Sequence, residues 1–199
     1  MLQKFSQNFS ALYDKKITRY FNWKDAQSSM LGTLLLKNGL QKLGFNYFNL
    51  QTATKNNSKP ILEIENLHFN ISHSGQIVVC ALSDCCEIGI DIEIIRNIEI
   101  IDFKEQMTDY EWNYIYRAEH PDSAFFEYWT QKEAVLKANG CGIIDSLRSF
   151  EIKNRQTQFE NSHYFIEELL INTNAMCHLA FKDQLDSFNK AEFIDSSKL

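Results

Sequence analysis

Twice along this chain a helical hydrophobic period gives way to short alternating strands, and that order leaves few architectures open. The first helix is predicted over 25–43, DAQSSMLGTLLLKNGLQKL, where Met30, Leu31, Leu34, Leu35 and Leu40 recur at near-helical spacing ahead of Gly44. The polar run Thr52–Pro60 reads as a loop. LHFNIS and QIVVCALS flank His73–Gly75, which predicts two strands joined by a turn. EIGIDIEII supplies a third strand after a break at Ser83–Cys86. The helical period then returns. TDYEWNYIYRAE opens with Thr108 and Glu111 in capping-box spacing, and a helix over Ser123–Ala138 meets Gly140 as its stop. SFEIKN, HYFIEELLI and AMCHLAFK read as antiparallel strands, followed by a polar tail from Asp183. The expected fold class is α+β. Two similar halves, 1–85 and 86–199, each a small antiparallel sheet with packed helices, should meet near Asp84–Glu87.

Composition narrows the function classes. A length of 199 residues with 44% hydrophobic residues is ample for a packed core and too apolar for disorder. The charge is −6, from 20 Lys+Arg against 26 Asp+Glu, with no basic stripe of the kind a nucleic-acid binder shows. Cys80, Cys85, Cys86, Cys141 and Cys177 are odd in number and form no CxxC pair, which points to free thiols in a reducing cytosol. The N-terminal MLQKFSQNFSALYDKK lacks an apolar signal core, and no run approaches the roughly 20 apolar residues of a membrane helix. The expectation is a cytoplasmic protein with neither membrane nor nucleic acid as partner.

Three segments could carry chemistry, and each also has a plain structural explanation. In GIDIE, strand alternation places Asp91 and Glu93 on one face and Ile90, Ile92 and Ile94 on the other, which is also what any half-buried strand does. In YWTQKEAVLKANG, Glu133 and Lys137 share a helix face with Trp129 one turn earlier, and a surface ion pair of about 0.3–0.5 kcal/mol would look the same. In FNISHSG, Ser72 and His73 end a strand, where a hydroxyl and an imidazole could meet an anion or only close a turn. Lys59 and Pro60 lie upstream, with Lys15, Lys16 and Arg19 further back. Together the segments say more. Asp91, Glu93 and Glu133 are oxygen donors suited to a hard cation. Two such carboxylates about 4 Å apart repel by about 4 kcal/mol at an effective dielectric of 20, so a fold gathers them only where a cation offsets the charge.

In combination and order, FNISHSG, IGIDIE and WTQKEAVLKANGCG resemble the FN(I/L)SHS, (I/V)GxDxE and W(S/T/C)xKEAxxK signatures of 4′-phosphopantetheinyl transferases of the Sfp type. The resemblance runs from about Asp25 to Phe150 and implies that fold, a pseudo-two-fold pair of α+β subdomains in one monomeric chain. It implies transfer of the phosphopantetheine arm of coenzyme A to a serine of an apo acyl carrier protein or peptidyl carrier domain, with release of adenosine 3′,5′-bisphosphate. Mg²⁺ or Mn²⁺ would be held by Asp91, Glu93 and Glu133. Lys137 would contact the phosphates, and Lys16, Ser29, Lys59, Pro60, Ser72 and His73 would bind coenzyme A, with 1–85 as its side. The half 86–199 would hold the metal ligands and dock the carrier. Two positions depart from the pattern: Ser28 stands where relatives usually carry arginine, and Cys141 where they carry lysine.

The chemistry agrees with this assignment. Cleaving a diphosphate requires negative charge to be neutralised on the reacting and departing phosphates, which a metal and Lys137 would supply. The carrier serine needs a base within hydrogen-bond reach, and Glu133, directly or through a water, is the candidate. Arg96–Met107 and the helix after it are the expected docking elements for an acidic carrier. Separated acids with a lysine also describe other metal-dependent phosphodiester enzymes, and a carrier-binding homologue with impaired catalysis would keep the same fold.

Overall fold

The computed structural model describes residues 23–45, 52–53, 61–62, 66–141, 147–182 and 192. Helix α1 (Trp23–Lys42) leads into two short paired strands, β1 (Thr52–Ala53) and β2 (Ile61–Leu62), then a hairpin of β3 (His68–Ser74) and β4 (Ile77–Ser83). Strand β5 (Ile88–Ile94) follows, then a 3-10 turn (Ile100–Gln106), helices α2 (Asp109–Arg117) and α3 (Pro121–Asn139), and a 3-10 turn at Leu147–Ser149. Strands β6 (Gln156–Phe159), β7 (Ser162–Glu168) and β8 (Ala175–Lys182) complete the order. Among the described residues all strand pairings are antiparallel, and the larger sheet runs β5-β8-β7-β6. This is the expected α+β architecture of small antiparallel sheets with packed helices.

Helix α1 buries Leu36 and Leu40 against Leu67 and Phe69, with Ile71 and Leu82 of the hairpin closing the cluster. The larger core lies between α2, α3 and the four-stranded sheet, around Phe125, Phe126, Val135, Leu136, Tyr164 and Ile166. The far face of the sheet buries Ile90, Ile92, Ala175 and Cys177 against Ile77 and Val79 of β4. Helix α2 starts at the predicted capping box: Thr108 Oγ1 accepts from Glu111 N, and Thr108 N donates to Glu111 Oε2 at 2.8 Å. Helix α3 ends at Gly140, whose φ of 81° is a left-handed conformation that side chains disfavour.

The structure corrects several expected boundaries. Thr52–Ala53, read as loop, pairs with Ile61–Leu62, while 54–60 lie outside the described residues, as does the tail from 183 except Glu192. The β3–β4 turn is Gly75–Gln76 rather than His73–Gly75; His73 and Ser74 pair with Val78 and Ile77. SFEIKN is not a strand. Phe150 and Ile152 plug the core, and the main chain there is bonded by side chains of Lys132 and Glu111 instead of a neighbouring strand. Asn154 and Arg155 then adopt φ of 49° and 57°, and the strand comes after them, at Gln156–Phe159.

Candidate functional site

Among the described residues, strand β5 pairs with β8 along one edge, so the amides of its other edge need acceptors. Strand β3 supplies them with side chains. Asn70, Ser72 and Ser74 alternate along β3 on one buried face. Asn70 Oδ1 accepts from Ile90 N at 2.8 Å and Ser74 Oγ from Ile94 N at 3.1 Å. Between these, Ser72 Oγ donates to Asp91 Oδ1 at 2.9 Å, and Ser74 Oγ donates to Glu93 Oε2 at 2.8 Å. A two-residue period on β3 thus meets a two-residue period on β5, and the hydroxyls reach the acids.

Helix α3 closes the site from the other side. A Cβ on Gly89 would lie 2.1 Å from Ala134 O and 2.3 Å from Ala138 N, so the absence of a side chain there lets α3 sit directly on β5. Thr130 fixes the helix to β8 through His178 Nδ1 at 2.7 Å. Lys132 fixes it to α2: its fully buried ammonium lies 3.0 Å from Glu111 Oε2 and donates to Leu147 O and Phe150 O. The same helix turns Lys137 into the cleft, where Nζ donates to Asp91 Oδ1 at 2.5 Å, Ser72 Oγ at 3.0 Å and Ile90 O at 3.3 Å.

The result is an open cleft of about 390 Å³ lined by Ile71, Ser72, His73, Asp91, Glu93, Trp129, Glu133 and Lys137. Six of the residues expected from sequence are therefore together: Asp91, Glu93, Glu133, Lys137, Ser72 and His73. Ser29 is not among the lining residues; it lies on α1, where its carbonyl accepts from Thr33 Oγ1. Lys16, Lys59 and Pro60 lie outside the described residues. Of the two departures, Ser28 is buried on α1 and Cys141 is exposed after α3.

Charge is crowded in this cleft. Burial pushes the Asp91 carboxyl above its usual range, Lys137 and the Ser72 hydrogen bond pull it back in part, and Glu93 pushes it up again. Glu133 is likewise raised, first by burial and then by Asp91, with Lys137 opposing and Glu93 adding. Asp91 Oδ2 is buried with no hydrogen-bond partner among the described residues. An orphaned carboxylate oxygen, two further carboxylates and a lysine are the donor chemistry of a hard divalent cation beside a phosphate. Among the described residues no three His, Cys, Asp or Glu side chains already surround a single point; one oxygen of Asp91 is bonded by Lys137 and Ser72, and one oxygen of Glu93 by Ser74 and Arg96. Asn70, Ser74 and Gly89 were not singled out from sequence, and Arg96 was named only as the start of the docking stretch, although the alternation of Asn70, Ser72 and Ser74 signals a polar face on β3.

Comparison with known proteins places these features in a family. Residues 87–192 match the 4′-phosphopantetheinyl transferase superfamily model, and 2–85 match one described as 4′-phosphopantetheinyl transferase, N-terminal. The chain is 40% identical over 157 residues to 4′-phosphopantetheinyl transferase gsp of Aneurinibacillus migulanus, covering 77% of this chain and 65% of that protein. A 4′-phosphopantetheinyl transferase of Bacillus subtilis is 31% identical over 163 residues, covering 79% and 70%. The chain thus spans about two thirds of the length of these relatives. Among solved structures, holo-[acyl-carrier-protein] synthase from Neisseria meningitidis overlaps 49% of this chain and 98% of its own at 16% identity, with a TM-score of 0.42. A match over residues 87–192 that includes both β5 acids, Glu133 and Lys137 settles the assignment: the chain belongs to the 4′-phosphopantetheinyl transferase superfamily.

Proposed function

We propose that this chain transfers the 4′-phosphopantetheine group of coenzyme A to a serine of an apo acyl or peptidyl carrier, releasing adenosine 3′,5′-bisphosphate. The observation that carries the proposal is the meeting of three elements: Lys137 of α3 touches Asp91 of β5 and Ser72 of β3, in a cleft that Glu93 and Glu133 share. Asp91, Glu93 and Glu133 would hold a divalent cation, Mg²⁺ or Mn²⁺, which when bound neutralises charge on the diphosphate. Lys137 donates to phosphate oxygens from a half-buried position, where its charge is screened less than on the surface. Glu133, which lines the cleft beside Asp91, Glu93 and Lys137, accepts the serine proton directly or through a water. Trp129 walls the cleft one turn before Glu133.

Residues 1–85 would serve the coenzyme A side, with His73, exposed at the cleft, toward its phosphates. Residues 86–199 would hold the cation and dock the carrier. Ile101, Tyr110, Tyr114 and Tyr116 are exposed on the 3-10 turn and α2, with Lys153 over the Tyr110 ring and Arg148 beside Asp109, a mixture suited to an acidic partner with an apolar patch. A cytoplasmic monomer completes the proposal, in keeping with five free thiols. No helix among the described residues is long and apolar enough to cross a membrane.

The direct test is intact-mass measurement of apo carriers from fatty-acid, polyketide and peptide synthetases, incubated with the purified chain, coenzyme A and Mg²⁺. One phosphopantetheine on one serine of at least one carrier is expected. No gain on any carrier, from protein that is folded, would overturn the proposal.

A further inference from the structure

The two acids of β5 are held in the same lopsided way. Asp91 receives Ser72 and Lys137 on Oδ1, while its buried Oδ2 has no partner among the described residues. Glu93 receives Ser74 and Arg96 on Oε2, at 2.8 and 3.0 Å, and neither bond involves Oε1. A carboxylate anchored through one oxygen by two donors cannot rotate without breaking a charge-assisted hydrogen bond, so its second oxygen is held in place. The Ser74 hydroxyl is itself constrained. Ile94 N–H donates to it at 3.1 Å, which commits its proton to Glu93. Ser74 is also 9% exposed, whereas the Arg96 side chain is 55% exposed, so its pull on the same oxygen is screened by solvent. The buried, doubly bonded partner of Glu93 is therefore the serine.

We propose that Ser74 is a positioning residue for the cation site, holding Glu93 through Oε2 so that Oε1 remains for the ion. The inference rests on the cation role assigned to Asp91 and Glu93 above, and its test separates the two. Mn²⁺ is titrated into the full chain without coenzyme A, free Mn²⁺ is followed by electron paramagnetic resonance, and each variant is melted in parallel. Ser74→Ala should weaken Mn²⁺ binding roughly 10-fold, as loss of an outer-shell partner does. Ser74→Thr, which keeps the hydroxyl, should restore it. Asn70→Ala removes the matching edge bond to Ile90 N without touching an acid, and should cost clearly less affinity than Ser74→Ala. Should Ser74→Ala fail to fold, Ser74→Cys keeps the volume with a weak donor and should show the loss. Unchanged Mn²⁺ affinity in the serine variant, or an equal loss in Asn70→Ala, overturns the inference. If Glu93→Gln abolishes binding while Ser74→Ala binds like wild type, this inference fails and the cation role stands. If wild type binds no Mn²⁺, or Asp91→Ala and Glu93→Gln both bind like wild type, the cation role fails and this inference with it.

Discussion

Asp91→Ala is expected to lower the rate of carrier modification about 10³-fold or more, with the circular dichroism spectrum unchanged. The magnitude follows from the number of roles that one side chain combines. It carries a buried oxygen with no partner among the described residues, it holds Lys137 at 2.5 Å, and it accepts from Ser72 at 2.9 Å. Losing charge neutralisation at a diphosphate is worth several kcal/mol, and each 1.36 kcal/mol is a factor of ten in rate. The fold should survive because β5 keeps its full pairing with β8 and its edge bonds to Asn70 and Ser74. Removing a carboxylate raised by burial and by Glu93 also relieves repulsion. Stability to urea should therefore change little. Transfer within tenfold of wild type would show that Asp91 neither binds the ion nor orders Lys137.

The opposite pattern is expected one helical face away. Lys132→Ala should destabilise the protein by about 3–5 kcal/mol, because it strands Glu111 in a site with 0% exposure. At roughly 2–4 °C per kcal/mol for a chain of this size, the melting temperature should fall by about 10 °C. This ion pair also terminates main chain. Lys132 caps Leu147 O and Phe150 O, and Glu111 accepts from Thr108 N and from Ile152 N at 2.8 Å. An apolar swap, Lys132→Met with Glu111→Leu, would strip the partners from three buried main-chain groups and from the part-buried Thr108 N, so it should not recover wild-type stability. Urea unfolding of the single and double variants checks both statements. A loss under about 1 kcal/mol for Lys132→Ala would mean that the pair is not desolvated as described.

What the sequence made legible is what depends on neighbours along the chain. Thr108 and Glu111 form their reciprocal cap because both partners lie within one turn, and Gly140 stops α3 for an equally local reason. The alternation of IGIDIE correctly separates Asp91 and Glu93 from the apolar Ile90 and Ile92. The environment of those acids was not legible. A polar strand face ordinarily meets water, but here α3 covers it, because Gly89 admits the helix backbone. The β3 seam was missed for a related reason: Asn70 and Ser74 matter because the edge amides of β5, a separate strand, meet their side chains. Phe150 and Ile152 imitated a strand because alternation reports burial, not pairing. Gln156–Phe159 escaped notice because its residues are mostly polar and its buried ones, Thr157 and Phe159, are only two.

The central claim is that Asp91, Glu93 and Glu133 share one divalent cation. Anomalous diffraction from crystals grown with Mn²⁺ and coenzyme A tests it most directly. A single strong Mn²⁺ peak is expected, bounded by the three carboxylates at the roughly 2 Å separations of a hard cation from its oxygen ligands. Coenzyme A in the cleft with the Mn²⁺ peak elsewhere, or with Glu133 turned away from it, would contradict the account.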